Sequence, residues 1–197
     1  MKGDLDLSKL QTHGFGPRTT MFWGTLAFIT LEGTAFALAI GTYLYLMSIN
    51  PQWPLGAPPP GLLPGSIITF VMLASVVPNH FLKNWAREEN LPLVRAGLVL
   101  MSMLGIFILV IRGFEFPQLK VSWDTNAYGS ILWFLLGLHT VHLLTDVADT
   151  IVLTALMFTR HATGKRFSDT EDNGVYWDFV VLSWMPIYVL LYWVPRW

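Results

Sequence analysis

Long apolar runs alternate with short polar segments along the whole chain, and this pattern predicts five membrane-spanning helices. The runs cover residues 20–48, 65–83, 93–112, 128–159 and 174–194. A helix needs about 20 apolar residues to cross a hydrocarbon core of about 30 Å, and each run is close to or above that length. The sequence therefore predicts an all-α integral membrane bundle, with a tail over residues 1–19 and a five-helix transmembrane domain over residues 20–197.

Proline marks one connection and interrupts two of the runs. The segment from Asn50 to Gly65 holds six prolines, and this predicts a stiff, polyproline-like connector outside the lipid. Pro78 and Pro186 lie inside apolar runs, where a missing amide and a ring clash favour a kink.

Basic residues predict the orientation of the helices. With five crossings, nine lysines and arginines fall on the side of the N-terminal tail and three on the other side. The positive-inside rule then places the N-terminus in the cytoplasm and the C-terminus outside. The larger group is Lys2, Lys9, Arg18, Lys83, Arg87, Arg95, Arg160, Lys165 and Arg166, and the smaller is Arg112, Lys120 and Arg196.

Composition supports the membrane class and excludes several functions. Charged residues make up 13% of the chain, which is about half the share usual in soluble domains. A net charge of −1 gives no basic surface for nucleic acid, so no nucleic-acid partner is predicted. The absence of cysteine excludes disulfides, thiolate metal clusters and cysteine redox chemistry.

Ionisable residues inside the apolar runs are the candidates for function, because a charge in the bilayer core is costly. Glu32 lies in the first run and Asp178 in the last. The fourth run carries His139, His142, Asp146 and Asp149, which fall within an arc of about 80° on a helix of 100° per residue. This polar stripe is predicted to face the bundle interior or a partner.

The stripe is compatible with three interpretations. Its histidines and carboxylates, with Glu32, could ligate a metal. They could instead form a hydrogen-bonded network that holds helices together, or a protonatable network beside a proton-handling partner. Haem ligation is disfavoured, because His139 and His142 are three residues apart on one helix and cannot sandwich a single haem.

Two contacts are predicted from depth in the membrane. Glu32 lies about 18 Å from the start of the first helix, at 1.5 Å per residue, and His142 in the antiparallel fourth helix lies at a similar depth. We therefore predict a Glu32–His142 pair. Asp178 is predicted to lie in the first turn of the fifth helix, where the helix dipole favours an acid.

The same polar residues belong to motifs of a known family. Tyr128-Gly129-Ser130 and Gly137-Leu138-His139-Thr140-Val141-His142 resemble the helix start and the G-F-H-G-x-H signature of subunit III of haem–copper terminal oxidases. Phe28 to Glu32 is similar to its F-I-x-S-E helix, and Arg112 to Phe116 to its Q-x-x-E-Y segment. Val175 to Trp193 resembles the terminal W-Y-W-H-F-V-D-x-x-W motif. The sequence departs from these patterns at Leu31, Arg112, Asp146, Asp149, Asp178, Val181 and Pro186.

The resemblance implies an accessory subunit without a redox centre. Such a subunit packs on the catalytic subunit I and other oxidase subunits, supports proton uptake and protects the oxidase during turnover, while haem and copper are held by its partners. Family members with seven helices bind phospholipid in a cleft, and this chain resembles the five-helix third subunits of bacterial quinol oxidases. The resemblance thus implies a multi-pass protein of the bacterial cytoplasmic membrane, with Glu32 and His142 as the central pair and Glu115 as a second acid.

Two other functions remain open at this point. The chain could be a subunit or assembly partner of a nitric-oxide reductase-like complex. It could also be a stand-alone metal-binding membrane enzyme that uses the polar stripe. Co-purification separates these possibilities, because an oxidase partner carries haem and copper whereas a lone metalloenzyme keeps its own metal.

Overall fold

Five long helices make up most of the part of the chain that the structure describes. The computed structural model describes residues 20–159, 162 and 164–196. The helices are α1 (Thr20–Ile49), α2 (Leu62–Arg87), α3 (Leu91–Glu115), α4 (Ala127–Met157) and α5 (Gly164–Tyr188). Each is long and apolar enough to cross a membrane, which confirms the predicted five-helix membrane fold. The sidedness of the termini stays a prediction, and the predicted tail and Arg160 lie outside the described residues.

Local sequence signals explain where α3 and α4 begin. The side chain of Asn90 accepts a hydrogen bond from the Leu93 amide, and Pro92 occupies the first turn of α3. Asn126 accepts a bond of 2.8 Å from the Gly129 amide at the start of α4. Asparagine is a preferred N-cap because its side-chain oxygen satisfies an amide that has no partner within the helix.

Helices α4 and α5 pack together as a central pair. On one side, α2 contacts α5 and α3 contacts α4, and α2 and α3 also contact each other. On the other side, α1 alone packs against both α4 and α5. Only Phe36, Ala39 and Tyr43 of α1 are buried, so this helix is peripheral and its first half lies loosely on the bundle.

The crossing of α3 and α4 depends on a glycine. A Cβ atom at Gly105 would lie 2.4 Å from Cγ2 of Val147, which is much closer than any real contact. Small residues at such crossings let helix backbones approach in a membrane, where association depends on close packing. Ser102 of α3 and Thr154 of α4 add a hydroxyl pair at 3.1 Å along the same contact.

The proline-rich connector packs onto the bundle through Trp53. Its indole Nε1 donates to the Tyr43 hydroxyl at 3.0 Å, and Tyr43 in turn donates to the Leu190 carbonyl at 2.9 Å. The Trp53 ring also contacts Tyr128 edge-on, with centroids 5.2 Å apart. Pro78 and Pro186 both lie inside continuous helices, and after Pro186 the chain continues as a π-helical turn over Val189–Trp193 and a 3₁₀ turn over Val194–Arg196.

The prediction that the fifth helix begins at residue 174 was wrong by ten residues. Hydropathy marks where a helix enters lipid, but α5 begins at Gly164 and its first turns are polar. These turns are held by side-chain contacts: Phe167 and Thr170 are buried, and Arg166 pairs with Asp169 at 2.7 Å. Glu171 pairs with Arg87 of α2 at 2.8 Å, so the extension is anchored to a second helix.

The early start of α5 also corrects the interpretation of Asp178. This residue lies in the fourth turn of α5 and not in the first, so the helix dipole does not explain it. Its carboxylate accepts from Asn79 at 2.7 Å and is ion-paired with Lys83, both on α2. Asp178 therefore joins α2 to α5 through an interhelical pair.

Candidate functional site: a buried acid–imidazole pair

Glu32 is held between α4 and α5 by both oxygens of its carboxyl group. Oε1 lies 3.0 Å from Nε2 of His142, and the hydroxyl of Tyr176 donates to Oε2 at 2.7 Å. The predicted Glu32–His142 contact is thus present in the structure. Tyr176 is a third member that depth arguments did not find, because the fifth helix was predicted to begin only two residues before it.

The hydrogen bonds of His142 require a proton inside this pair. Nδ1 of His142 lies 2.6 Å from the Leu138 carbonyl, which can only accept, so Nδ1 carries a hydrogen. Nε2 of a neutral ring is then an acceptor facing a carboxyl oxygen of Glu32. One proton must therefore lie between Glu32 and His142, either on the acid or on the imidazole. The pair is neutral overall in both cases.

His139 takes part in a different cluster. Its Nε2 donates to the Val180 carbonyl at 3.1 Å, and its Nδ1 lies 3.5 Å from Nη2 of Arg112. The imidazole also packs on the indole of Trp184, with centroids 4.9 Å apart. The predicted polar stripe is therefore divided between two clusters. His139 contacts Arg112 of α3, whereas His142 contacts Glu32 of α1.

Arg112 and Glu115 form the centre of that second cluster. Both side chains are almost fully buried, and Nη1 of Arg112 is ion-paired with Oε2 of Glu115. The guanidinium also lies over the Trp184 ring, 4.1 Å from its centroid. Arg112, counted above among the three basic residues of the outer side, lies in the last turn of α3 and is buried in the protein.

Asp146 and Asp149 share one amide partner. The side-chain nitrogen of Asn173 donates to both carboxylates, at 3.2 Å to Asp146 and 3.1 Å to Asp149. Thr150 donates to the oxygen of the same amide at 3.2 Å, which fixes the orientation of Asn173. Sequence reasoning missed Asn173, which stood in a predicted loop, although an asparagine just before an apolar run is a signal worth testing.

The chemistry available to this site is proton exchange. Carboxyl, imidazole and phenol groups are in contact, and each can hold or pass a proton. Among the residues that the structure describes, no group of three or more histidine or acidic side chains is placed to hold a metal ion. His139 and His142 use both ring nitrogens in hydrogen bonds or ion pairs.

The fold and the site define a multi-pass helical membrane protein with protonatable groups buried between its helices. Residues 8–196 match the family described as cytochrome c oxidase subunit III. The chain belongs to this family, and its class is that of the accessory subunits of terminal oxidases.

Named relatives agree with the family at low identity. The chain is 25% identical to cytochrome c oxidase subunit 3 of Drosophila yakuba, over 92% of this chain and 72% of that protein. It is 28% identical to the same subunit of Pongo abelii, and 27% to that of Rattus norvegicus, each over 87% of this chain and 68% of the relative.

Proposed function

We propose that this chain packs on the catalytic subunit I of a haem–copper oxidase, supports its proton uptake and stabilises it during turnover. The proposal assigns no redox centre to the chain and leaves haem and copper to the partner subunits. Glu32, His142 and Tyr176 are proposed to be the group through which the chain handles protons. Phospholipid bound along the helices is part of the same proposal.

The observation that carries the proposal is the 3.0 Å contact between Glu32 and His142, which requires one shared proton. A purely structural hydrogen bond in a membrane does not need two titratable groups, and intramembrane bonds average only about 0.6 kcal/mol. An acid–imidazole pair in the middle of the membrane adds little stability, because burying its polar groups costs free energy that the hydrogen bond offsets only in part. It does keep a proton in a form that can be gained or lost.

Subunit depletion tests the proposed partner and role together. The complex should be purified through a tag on this chain and should carry haem and copper spectra. Oxidase from which this chain has been removed should take up protons more slowly and lose activity sooner during turnover. Equal proton uptake and equal lifetime with and without the chain would contradict the proposal.

The location and orientation are also proposals. We propose the cytoplasmic membrane of a bacterium, with the loop between α4 and α5 on the cytoplasmic side. A thiol reagent added from outside should fail to label Gly164→Cys and should label a cysteine in the proline-rich connector. Gly56 has a positive φ of 75°, so the exposed Gln52→Cys is the better probe there. The reverse labelling pattern would contradict the orientation.

A further inference from the structure

A cavity of about 500 Å³ lies between α1, α4 and α5. It forms because residues 20–35 of α1 include no buried side chain, so this half of the helix does not close on the central pair. Arg166 and Asp169 stand at the amino-terminal end of α5, and Asp146 and Tyr176 line the cavity further along the helices. The cavity therefore runs from the loop end of the bundle towards Glu32.

Acidic side chains line this cavity at successive depths. Asp169 and Asp172 come from the first turns of α5, while Asp149 and Asp146 lie progressively further from the end of α4. Arg166 is the one cation among the cavity-lining residues that the structure describes, and it is paired with Asp169. The remaining lining is mostly apolar, so water or lipid could fill the space in principle.

The hydrogen bonds of Asp146 favour water over lipid as the content of the cavity. Its side chain is 2% exposed and lines the cavity, and its Oδ1 accepts from Asn173. Its Oδ2 has no hydrogen-bond partner among the residues that the structure describes. A buried carboxyl oxygen without a donor costs about 1–3 kcal/mol, a cost that a water in the cavity removes and an acyl chain does not.

Tyr176 joins the cavity to the acid–imidazole pair. Its ring lines the cavity, and its hydroxyl donates to Oε2 of Glu32. Beyond the pair, the path is closed by Phe36, which is 3% exposed and whose ring centroid lies 4.8 Å from that of His142. Beyond Phe36 lies His139, which contacts the ion pair of Arg112 and Glu115.

We propose that this cavity is a water-filled proton inlet that ends at the Glu32–His142 pair, with Asp146 as the positioning carboxyl that orders water beside Tyr176. The geometry of the inlet stands on its own contacts, and only its use by the oxidase rests on the proposed function. The closed inner end makes it a one-sided store of protons and not a channel across the membrane.

Proton loading conserves atoms and charge. A protonated water in the cavity gives its proton to the Tyr176 oxygen, while the Tyr176 hydroxyl proton moves to Oε2 of Glu32. The proton already shared with His142 then resides on Nε2, so the pair gains one positive charge and the tyrosine is unchanged. Release is the reverse of these steps and leads to the same end of the cavity.

Thiol accessibility tests the inlet without using oxidase activity. The chain has no cysteine, so an introduced one is its only thiol. Val152 and Ile151 are adjacent on α4 and 54% and 42% exposed, but only Val152 lines the cavity. Thr145 and Leu144 form a second such pair nearer to Tyr176. A cationic methanethiosulfonate reagent should be added to the purified complex in vesicles, at the face where Arg87 lies.

The cavity positions should react at least about tenfold faster than their neighbours, because a thiol ionises in water and not in lipid. In the Thr145→Cys chain, Asp146→Asn should keep the fast reaction, because the amide can still hold a water in the cavity. Equal rates for Val152→Cys and Ile151→Cys would show that lipid fills the cavity, and would overturn the inlet. If the Asp146→Asn chain does not assemble, the two cysteine pairs still decide.

Proton uptake by the Asp146→Asn complex separates the two proposals. Accessible thiols with slowed proton uptake support both the inlet and the proton role of the chain. Accessible thiols with unchanged uptake leave the inlet standing and contradict the proton role. Inaccessible thiols contradict the inlet, whatever the uptake.

Discussion

His139 and His142 belong to two different polar clusters, and only the cluster of His142 borders a cavity. The cluster of Arg112, Glu115 and His139 is sealed between α3, α4 and α5, with Trp184 packed over the guanidinium. The cluster of Glu32, His142 and Tyr176 lies under the loosely packed α1 and borders a cavity. The first holds an ion pair, and the second is the group through which we propose that the chain exchanges protons.

Burial alone does not identify a functional acid in this bundle. Glu115 is more deeply buried than Glu32, and its carboxyl group is paired with the guanidinium of Arg112. Glu32 faces a base and a phenol, and neither carries a permanent charge. We therefore base the proposed proton role of Glu32 on its partners and on the adjacent cavity, and not on its burial.

The largest effect is expected where the sealed cluster is broken. Glu115→Leu leaves the Arg112 guanidinium buried without a carboxylate, and such a change costs about 3–5 kcal/mol. The chain should be lost from the purified complex, or the complex should unfold at a much lower temperature. Mass spectrometry of the complex and thermal unfolding in detergent measure the two effects.

The double variant Arg112→Met with Glu115→Leu is the control for that change. Replacing both members of a buried pair by apolar residues is often close to neutral. Assembly should therefore recover to a large part, with a residual loss from the unpaired His139. A Glu115→Leu complex as stable as the unmodified one would show that the cluster is not sealed.

A smaller effect is expected when the open cluster is broken. Glu32→Leu removes the partner of both His142 and Tyr176, a loss of about 1–3 kcal/mol when no water replaces it. Water in the adjacent cavity should keep the cost at the low end of that range, clearly below that of Glu115→Leu. Equal destabilisation by Glu32→Leu and Glu115→Leu would contradict the proposed difference between the two clusters.

The smallest effect on stability is expected for Tyr176→Phe. It removes one hydrogen bond to Glu32, and such bonds in membranes are worth about 0.6 kcal/mol on average. The unfolding temperature of the complex should barely change. A large drop would mean that the Tyr176 hydroxyl has a structural role that its single bond to Glu32 does not explain.

Sequence patterns predicted the parts of this molecule that depend on hydropathy and depth. The five apolar runs and the meeting of Glu32 with His142 follow from helix length and 1.5 Å rise per residue. The early start of α5 was not predicted, because its polar turns are stabilised by contacts such as Arg87–Glu171 that join distant parts of the chain. For the same reason, the Lys83–Asp178 pair and the burial of Arg112 were missed.

Asn173 and Tyr176 show the same limit within the site. Asn173 lies just before the fifth apolar run and Tyr176 lies at its start, so hydropathy gave neither residue a depth in the membrane. The division of the stripe was also beyond the sequence, because a helical wheel gives the angle of His139 and His142 but not the neighbouring helix that each one meets.

Glu32→Gln in the assembled oxidase tests whether the carboxyl group of Glu32 handles protons. The amide can accept from Tyr176 and donate to His142, so assembly and cofactor content should stay unchanged while the exchangeable carboxyl proton is lost. We expect slower proton uptake and earlier loss of activity during sustained turnover, measured with a pH-sensitive dye and oxygen consumption on the same preparation. A Glu32→Gln complex that matches the unmodified one in both measurements would show that Glu32 is a structural acid, and would contradict its proton role.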